Sequence, residues 1–376
     1  VLKTAILRRL PESARLGVAL FLAARLVTFV IAWLVMAARP DQGITEILTN
    51  WDGNWNEIVA TDLYRAFENA ESSVLRYQTM AFFPLLPLVT RGLHDLTGIG
   101  IHVVGPLVSM FFGALAFALL GKYLTDKVGR PLATVALVLM LFSPNGFVLS
   151  MFYTEGLMIF FTVLTMRDLD DARWTRAGLW ALLGGLTRPT GFVLVVPCLV
   201  AAIVHLRSPD RTDGARAVLA PILAPIGFLA WVVFVAVRTG SPTGYFTIQS
   251  EAWGARLDFG RSFLDGVIGT FVEFDRDLDV RVSVMYVAVF GFGGLYLAWK
   301  QKMSAPWLSL AAVLVVLTAF NARQASGARF LLPAFPLFVA WARAIRIQWH
   351  GIVVAGSAAL MGALFFTSVA NLNYTP

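Results

Sequence analysis

Asp52 stands between two tryptophans in the run Asn50-Trp51-Asp52-Gly53-Asn54-Trp55-Asn56-Glu57. A helix starting here would set Trp51/Trp55 and Asp52/Asn56 as i,i+4 pairs on neighbouring faces. A carboxylate held beside aromatic rings at a membrane edge suits a general base, which removes a proton from a hydroxyl while a tryptophan face binds a sugar ring. The same run also fits an interfacial tryptophan belt with a helix-capping Asp, and on its own it weighs evenly between the two.

Other residues are unusual for an apolar chain. Glu155, in Met151-Phe152-Tyr153-Thr154-Glu155, falls at the end of an apolar run, and ionisable groups in such places are costly and point to function. It follows Ser143-Pro144-Asn145. Arg188, in Leu186-Thr187-Arg188-Pro189-Thr190-Gly191, lies at a turn between two apolar runs, and Arg329, in Ser326-Gly327-Ala328-Arg329-Phe330, begins another. Arginine binds phosphate through two parallel hydrogen bonds, so both are candidates for a lipid phosphate, or for a structural ion pair with Glu155 or Asp52. Gln249 and Trp253 are spaced i,i+4, so one can hydrogen-bond and the other stack against a sugar. Met80-Ala81-Phe82-Phe83-Pro84-Leu85-Leu86-Pro87 reads as a kinked apolar wedge at the membrane surface. The acidic run Glu273/Asp275/Asp277/Asp279, interleaved with Arg276 and Arg281, reads as a solvated surface. The four histidines are scattered without metal-ligand spacing, so no metal is expected. There is no phosphate-binding P-loop, GxSxG elbow or dinucleotide fingerprint.

The elements that must carry these residues are transmembrane. The chain has 376 residues, 58% hydrophobic and 14% charged, against ~25% charged in soluble domains. Runs of ~20 apolar residues recur, which means helices in lipid; β-barrel strands would alternate over about ten residues. The expected class is an all-α integral membrane protein, one polytopic domain over 1–376, with about eleven (10–13) spans near 14–38, 101–121, 131–149, 154–166, 176–188, 190–206, 216–238, 282–299, 304–320, 328–342 and 350–370. The short spans 154–166 and 176–188 are expected to be tilted, broken or buried in the bundle. The first run, Leu16 to Ala38, is too long for a cleavable signal and lacks a clear cleavage site. The single cysteine, Cys198, excludes an intrachain disulfide.

The net charge of +7 follows from the positive-inside rule, so no nucleic-acid partner is inferred. Lys3, Arg8, Arg9 and Arg15 precede the first span and place the N-terminus in the cytoplasm. The clusters Lys122/Lys127/Arg130, Arg167/Arg173/Arg176, Arg207/Arg211/Arg216, Lys300/Lys302 and Arg343/Arg346 follow every second span if Phe82 to Gly98 does not cross. That segment carries Arg91, His94 and Asp95 and is expected to be interfacial or re-entrant. Two long loops, 39–100 and 239–281, then fall outside, with Asp52, Glu155, Arg188, Gln249, Trp253 and Arg329. The C-terminus is expected outside too.

Taken in order, Trp51-Asp52-Gly53-(Asn54)-Trp55, Ala81-Phe82-Phe83-Pro84-Leu85-Leu86-Pro87, Tyr153-Thr154-Glu155, Leu186-Thr187-Arg188-Pro189-Thr190-Gly191, Gln249 with Trp253, and Arg329-Phe330 running to Pro336 resemble the motifs of a bacterial PIG-V-type mannosyltransferase, within the GT-C superfamily of membrane glycosyltransferases. The resemblance runs from Trp51 to about Pro336. The family usually has an aromatic where Asn56 stands and a Gly-Tyr pair where Leu63-Tyr64 stands. It implies a GT-C bundle in the bacterial plasma membrane with a periplasm-facing site. The implied reaction is inverting transfer of a sugar, mannose or in related enzymes arabinofuranose, from a polyprenyl-phosphate carrier to a lipid, glycolipid or lipoglycan acceptor, without nucleotide or other cofactor. Asp52 is then the general base, and Arg329 and Arg188 stabilise the leaving phosphate. Glu155 positions an arginine or an acceptor hydroxyl, and Trp51, Trp55, Asn56, Tyr153, Gln249 and Trp253 shape the pocket. The competing readings are a transporter or flippase of a lipid-linked substrate, and a non-catalytic membrane subunit. A transporter is disfavoured by the lack of an internal repeat and by charges gathered at helix ends rather than at the midplane.

Overall fold

Each long apolar run forms a helix, because a backbone without water must satisfy its own N–H and C=O groups. The computed structural model describes residues 11–39, 42–68, 75–209, 214–273, 275–370 and 374–376. Lys3, Arg8, Arg9 and Arg211 lie outside those residues. Among the described residues six helices are long and apolar enough to cross a bilayer: Glu12–Ala38, Ile101–Val128, Pro189–Arg207, Gly214–Thr239, Leu278–Lys300 and Ile347–Val369. Shorter helices, Arg130–Leu141, Glu155–Asp170, Trp174–Gly185, Ala305–Ala319 and Phe335–Ala344, occupy the other expected positions. All eleven positions are helical, and six have the length and composition of a full span.

The short segments are short for local reasons. Ser143-Pro144 ends the helix that begins at Arg130, and a 3-10 turn, Gly146–Ser150, follows. The expected span 328–342 breaks into Gly327–Phe330 and Phe335–Ala344 around Pro333. Glu155–Asp170 is buried in the bundle along nearly its whole length.

The first helix turns Leu22, Leu26, Val30 and Trp33 outward, and Leu26 is 64% exposed. Its opposite face packs on Ile101–Val128 through small residues: a Cβ on Gly17 would lie 2.0 Å from the Phe117 carbonyl oxygen. The Glu155–Asp170 helix docks on the same partner through Gly156, where a Cβ would meet the Ser109 carbonyl oxygen at 2.7 Å. Close approach of small residues takes over here from a hydrophobic drive that lipid does not supply. It seats Glu155, the neighbour of Gly156, in the interior.

Ion pairs mark the two ends of the bundle. Arg130 bonds Glu12 at 2.6 Å and Lys127 bonds Asp170 at 2.6 Å. Arg176 approaches the buried Asp168 at 3.1 Å. These basic clusters therefore share one end. Glu155 begins the helix that Asp170 ends, so it sits ~22 Å away at 1.5 Å per residue.

The long loops are mostly helical. The first holds Ile44–Thr49, Asp52–Asp62 and Leu85–Thr97, and the second holds Gly244–Trp253 and Arg261–Val272. Leu85–Thr97 has 13 residues, ~20 Å, short of a ~30 Å hydrocarbon core. Arg91 ties it to the Asp52–Asp62 helix by donating to the carbonyls of Ala60 and Thr61. That geometry suits the non-crossing segment expected there. Among the described residues a single antiparallel bridge, Leu257 with Asn321, joins the second loop to the turn before Arg329.

Candidate active site

Asp52 is the first residue of its helix, and Trp51 before it has φ 57° and ψ −120°. A tryptophan in that region is strained, and such strain gathers at functional sites. The turn is fixed from the other side of the chain. Phe152 N donates to Leu48 O at 2.8 Å, Asn56 Nδ2 donates to Phe152 O at 3.0 Å, and Asp52 N donates to the Tyr153 hydroxyl at 3.2 Å. The 3-10 segment leading to Tyr153 is held in turn by Arg25 of the first helix. Its Nη1 donates to Gly146 O at 2.8 Å and to Ser150 Oγ at 3.1 Å.

Two carboxylates and two arginines meet here. Arg329 Nη1 donates to Asp52 Oδ2 at 2.6 Å, and its Nε lies 3.4 Å from Glu155 Oε1. Arg188 Nη1 donates to the same Glu155 oxygen at 2.5 Å. Glu155 is 1% exposed, and its Oε2 has no hydrogen-bond partner among the described residues. Arg188 precedes Pro189, which holds it in an extended conformation between two helical segments. The Phe330 ring lies 5.1 Å from the Arg188 guanidinium and 5.4 Å from that of Arg329, and the Tyr153 ring 5.3 Å from Arg329. Aromatic faces support cations in this geometry. Burial, reinforced by the charges of Asp52 and Glu155 against the opposing Arg329, raises the Tyr153 phenol well above its usual range, so it stays a neutral hydroxyl.

A cavity of about 110 Å³ opens beside this cluster, lined by Asp52, Asn56, Tyr153, Arg188, Gln249, Trp253 and Arg329, among others. Glu155 lies behind the wall and holds both arginines. Gln249 is oriented by donating to Ala81 O and to the Tyr245 hydroxyl. Trp55 stands behind the cavity, with its ring parallel to Phe82 at 5.9 Å and edge-on to Trp253 at 5.1 Å. The two outer loops therefore meet through aromatic rings. Trp51, expected among the pocket residues, is 36% exposed, precedes the helix and is not among the residues lining the cavity.

The sequence reading misses several lining residues. Phe82 and Phe83, expected in a wedge at the membrane surface, line the cavity; Phe83 is buried against Phe228, Trp231 and Tyr245. Pro84 caps the Leu85–Thr97 helix just after them, so the two rings lie in the turn before it rather than on a continuous helix. Asn321, Arg323 and Ser326 also line it. The signal for Arg323 was available, since it lies in an expected outer turn, where the positive-inside rule places no arginine. Among the described residues no three His, Cys, Asp or Glu side chains gather as metal ligands.

No family profile and no curated protein matches the sequence. Among solved structures the chain is similar to ArnT from Cupriavidus metallidurans bound to undecaprenyl phosphate, with a TM-score of 0.53 and 17% identity over 94% of this chain and 65% of that one. The chain spans about 65% of the length of that relative. Together with the apolar helices, this likeness defines a multi-pass, all-helical membrane protein that shares the fold of that structure. The resemblance to PIG-V-type mannosyltransferases rests on the six sequence motifs alone.

Proposed function

We propose that the chain is an inverting glycosyltransferase that moves a sugar from a polyprenyl-phosphate carrier to a lipid, glycolipid or lipoglycan acceptor at the outer face of the bacterial plasma membrane. The observation that carries this reading is the Asp52 carboxylate, fixed by Arg329 on the wall of a cavity shared with arginines and aromatic rings. The solved relative with this fold holds undecaprenyl phosphate, and the motifs favour mannose as the sugar.

Asp52 Oδ2 is engaged by Arg329, while Oδ1 accepts no hydrogen bond from the described residues. In the proposed reaction Oδ1 takes the proton of the acceptor hydroxyl. The acceptor oxygen forms a bond to the anomeric carbon as the bond from that carbon to the phosphate oxygen breaks, with inversion. The departing phosphate takes the electron pair and is stabilised by cations, so it needs no acid. The arginine side of the cavity provides these. Asn56, Gln249 and Trp253 bound the sugar, with Trp55 supporting Trp253 from behind.

The test offers purified protein in nanodiscs radiolabelled polyprenyl-phosphate mannose and a membrane lipid extract. Label in a new lipid product supports the reading and identifies the acceptor. If mannose stays on its carrier, the arabinofuranose donor decides between sugars within the same class. Silence with both donors from folded protein would reject the enzyme in favour of a transporter or a subunit.

A further inference from the structure

Three arginines face the cavity, but their charges are not equally committed. Glu155 engages Arg188 at 2.5 Å, and Asp52 engages Arg329 at 2.6 Å. The third, Arg323, has no carboxylate oxygen within 4.0 Å among the described residues. Of the three guanidinium groups on the cavity, Arg323 is the one left without a carboxylate contact among the described residues.

Local structure holds this arginine in place. The Leu257–Asn321 bridge is flanked by Asp258 N donating to Phe320 O at 2.9 Å and Ala322 N donating to Arg256 O at 2.8 Å. Arg323 N donates to Asn321 Oδ1 at 3.1 Å, and Arg323 Nη1 donates to Trp253 O at 3.1 Å. The guanidinium lies 5.7 Å from the Trp253 ring. These contacts leave Nε and Nη2 without a hydrogen-bond acceptor among the described residues. Burial lowers the Arg323 pKa, Asp52 and Asp279 oppose this through space, and Arg329 adds repulsion. An anion entering the cavity would supply the contact that no carboxylate makes.

We infer that Arg323 is the residue that receives the phosphate of a lipid-linked phosphate ester, while Arg188 and Arg329 hold Glu155 and Asp52. This rests on the donor reading above and says which arginine recognises the donor. A planar guanidinium presents Nε and Nη2 to two phosphate oxygens at once. Trp253, which Arg323 touches through both its carbonyl and its ring, would then stand beside the sugar next to that phosphate. The turn 321–323 therefore couples phosphate recognition to sugar recognition.

The test measures binding of farnesyl phosphate and of farnesol, which share a chain and differ in charge, to nanodisc-held wild type, Arg323→Gln and Arg323→Lys. Wild type should prefer the phosphate. Arg323→Gln should bind it at least tenfold more weakly with farnesol binding unchanged, which also shows an intact fold, and Arg323→Lys should recover part of the loss. A preference for phosphate that survives in Arg323→Gln overturns the inference and leaves the donor reading standing. A wild type that does not distinguish the two compounds overturns both. Displacement by inorganic phosphate as effective as by unlabelled farnesyl phosphate would assign the site to the free anion and overturn the lipid-linked assignment.

Discussion

Arg329 and Asp52 lie 277 residues apart in the chain and 2.6 Å apart in space. The contact joins the turn between two late helices to the first residue of an early one. Through its Nε, Arg329 also reaches Glu155 at 3.4 Å, so one guanidinium spans two carboxylates. A lysine has one ammonium and cannot copy that fork. Arg329→Lys is expected to lower transfer at least tenfold while the protein still folds, and Arg329→Ala to cost more. Transfer rates beside thermal unfolding of both variants check this; a lysine variant with wild-type turnover would show that charge alone suffices.

Glu155 is the shared counter-ion of two arginines. Replacing it by Gln keeps the shape, leaves the buried Arg188 without a carboxylate and leaves Arg329 with Asp52 alone. Losing one partner of a buried pair costs ~3–5 kcal/mol. Thermal unfolding should therefore fall sharply in Glu155→Gln and in Arg188→Gln, and the double variant should lose clearly less than the sum, because the second change removes a charge already stranded. Additive losses would mean that the pair is not coupled.

Trp253 supports the cavity with its ring and Arg323 with its carbonyl. Trp253→Ala is expected to raise KM for the donor about tenfold, within the ~1–3 kcal/mol that an aromatic wall contributes to a bound ring. Trp253→Phe should retain most of the affinity. Steady-state kinetics with varied donor separates KM from kcat; an effect on kcat alone would move Trp253 from binding to the chemical step.

Leu63 ends the Asp52–Asp62 helix with φ 51° and ψ 52°, and its side chain is 46% exposed. An L-residue in this conformation is strained by ~1–2 kcal/mol, which glycine avoids. Leu63→Gly should leave transfer intact and stabilise the protein by up to about 1 kcal/mol, since glycine's greater unfolded-state entropy offsets part of the relief. A fall in the unfolding temperature would show that Leu63 packs more than its exposure suggests.

The positions of the helices were legible because apolar runs are long and bounded by prolines and charges. How many cross alone was not: a 16-residue segment buried in the bundle, such as Glu155–Asp170, reads the same as a short span. Asp52, Glu155, Arg188 and Arg329 could each be singled out because each is costly where topology puts it. Their pairing was not legible, since contacts over distances such as 52 to 329 depend on how helices pack. Arg323 escaped although the argument that selected Arg188 and Arg329 applies to it equally. Phe82 and Phe83 were not singled out as cavity residues because an apolar turn looks alike whether it faces lipid or a cavity. The Gly-Tyr pair of the resembling family falls at Leu63-Tyr64, both at positive φ, so the glycine there has a backbone reason.

Asp52 is the proposed acceptor of the hydroxyl proton, and Asp52→Asn tests that role with the least disturbance, because the amide keeps the size of the side chain and an oxygen for Arg329. Wild type and variant are compared in nanodiscs for transfer of labelled sugar and, separately, for binding of the lipid-phosphate donor. Loss of the base is expected to lower transfer by ~10²–10⁴-fold, with donor binding and thermal unfolding close to wild type. Turnover by the Asn variant at the wild-type rate would contradict the assignment.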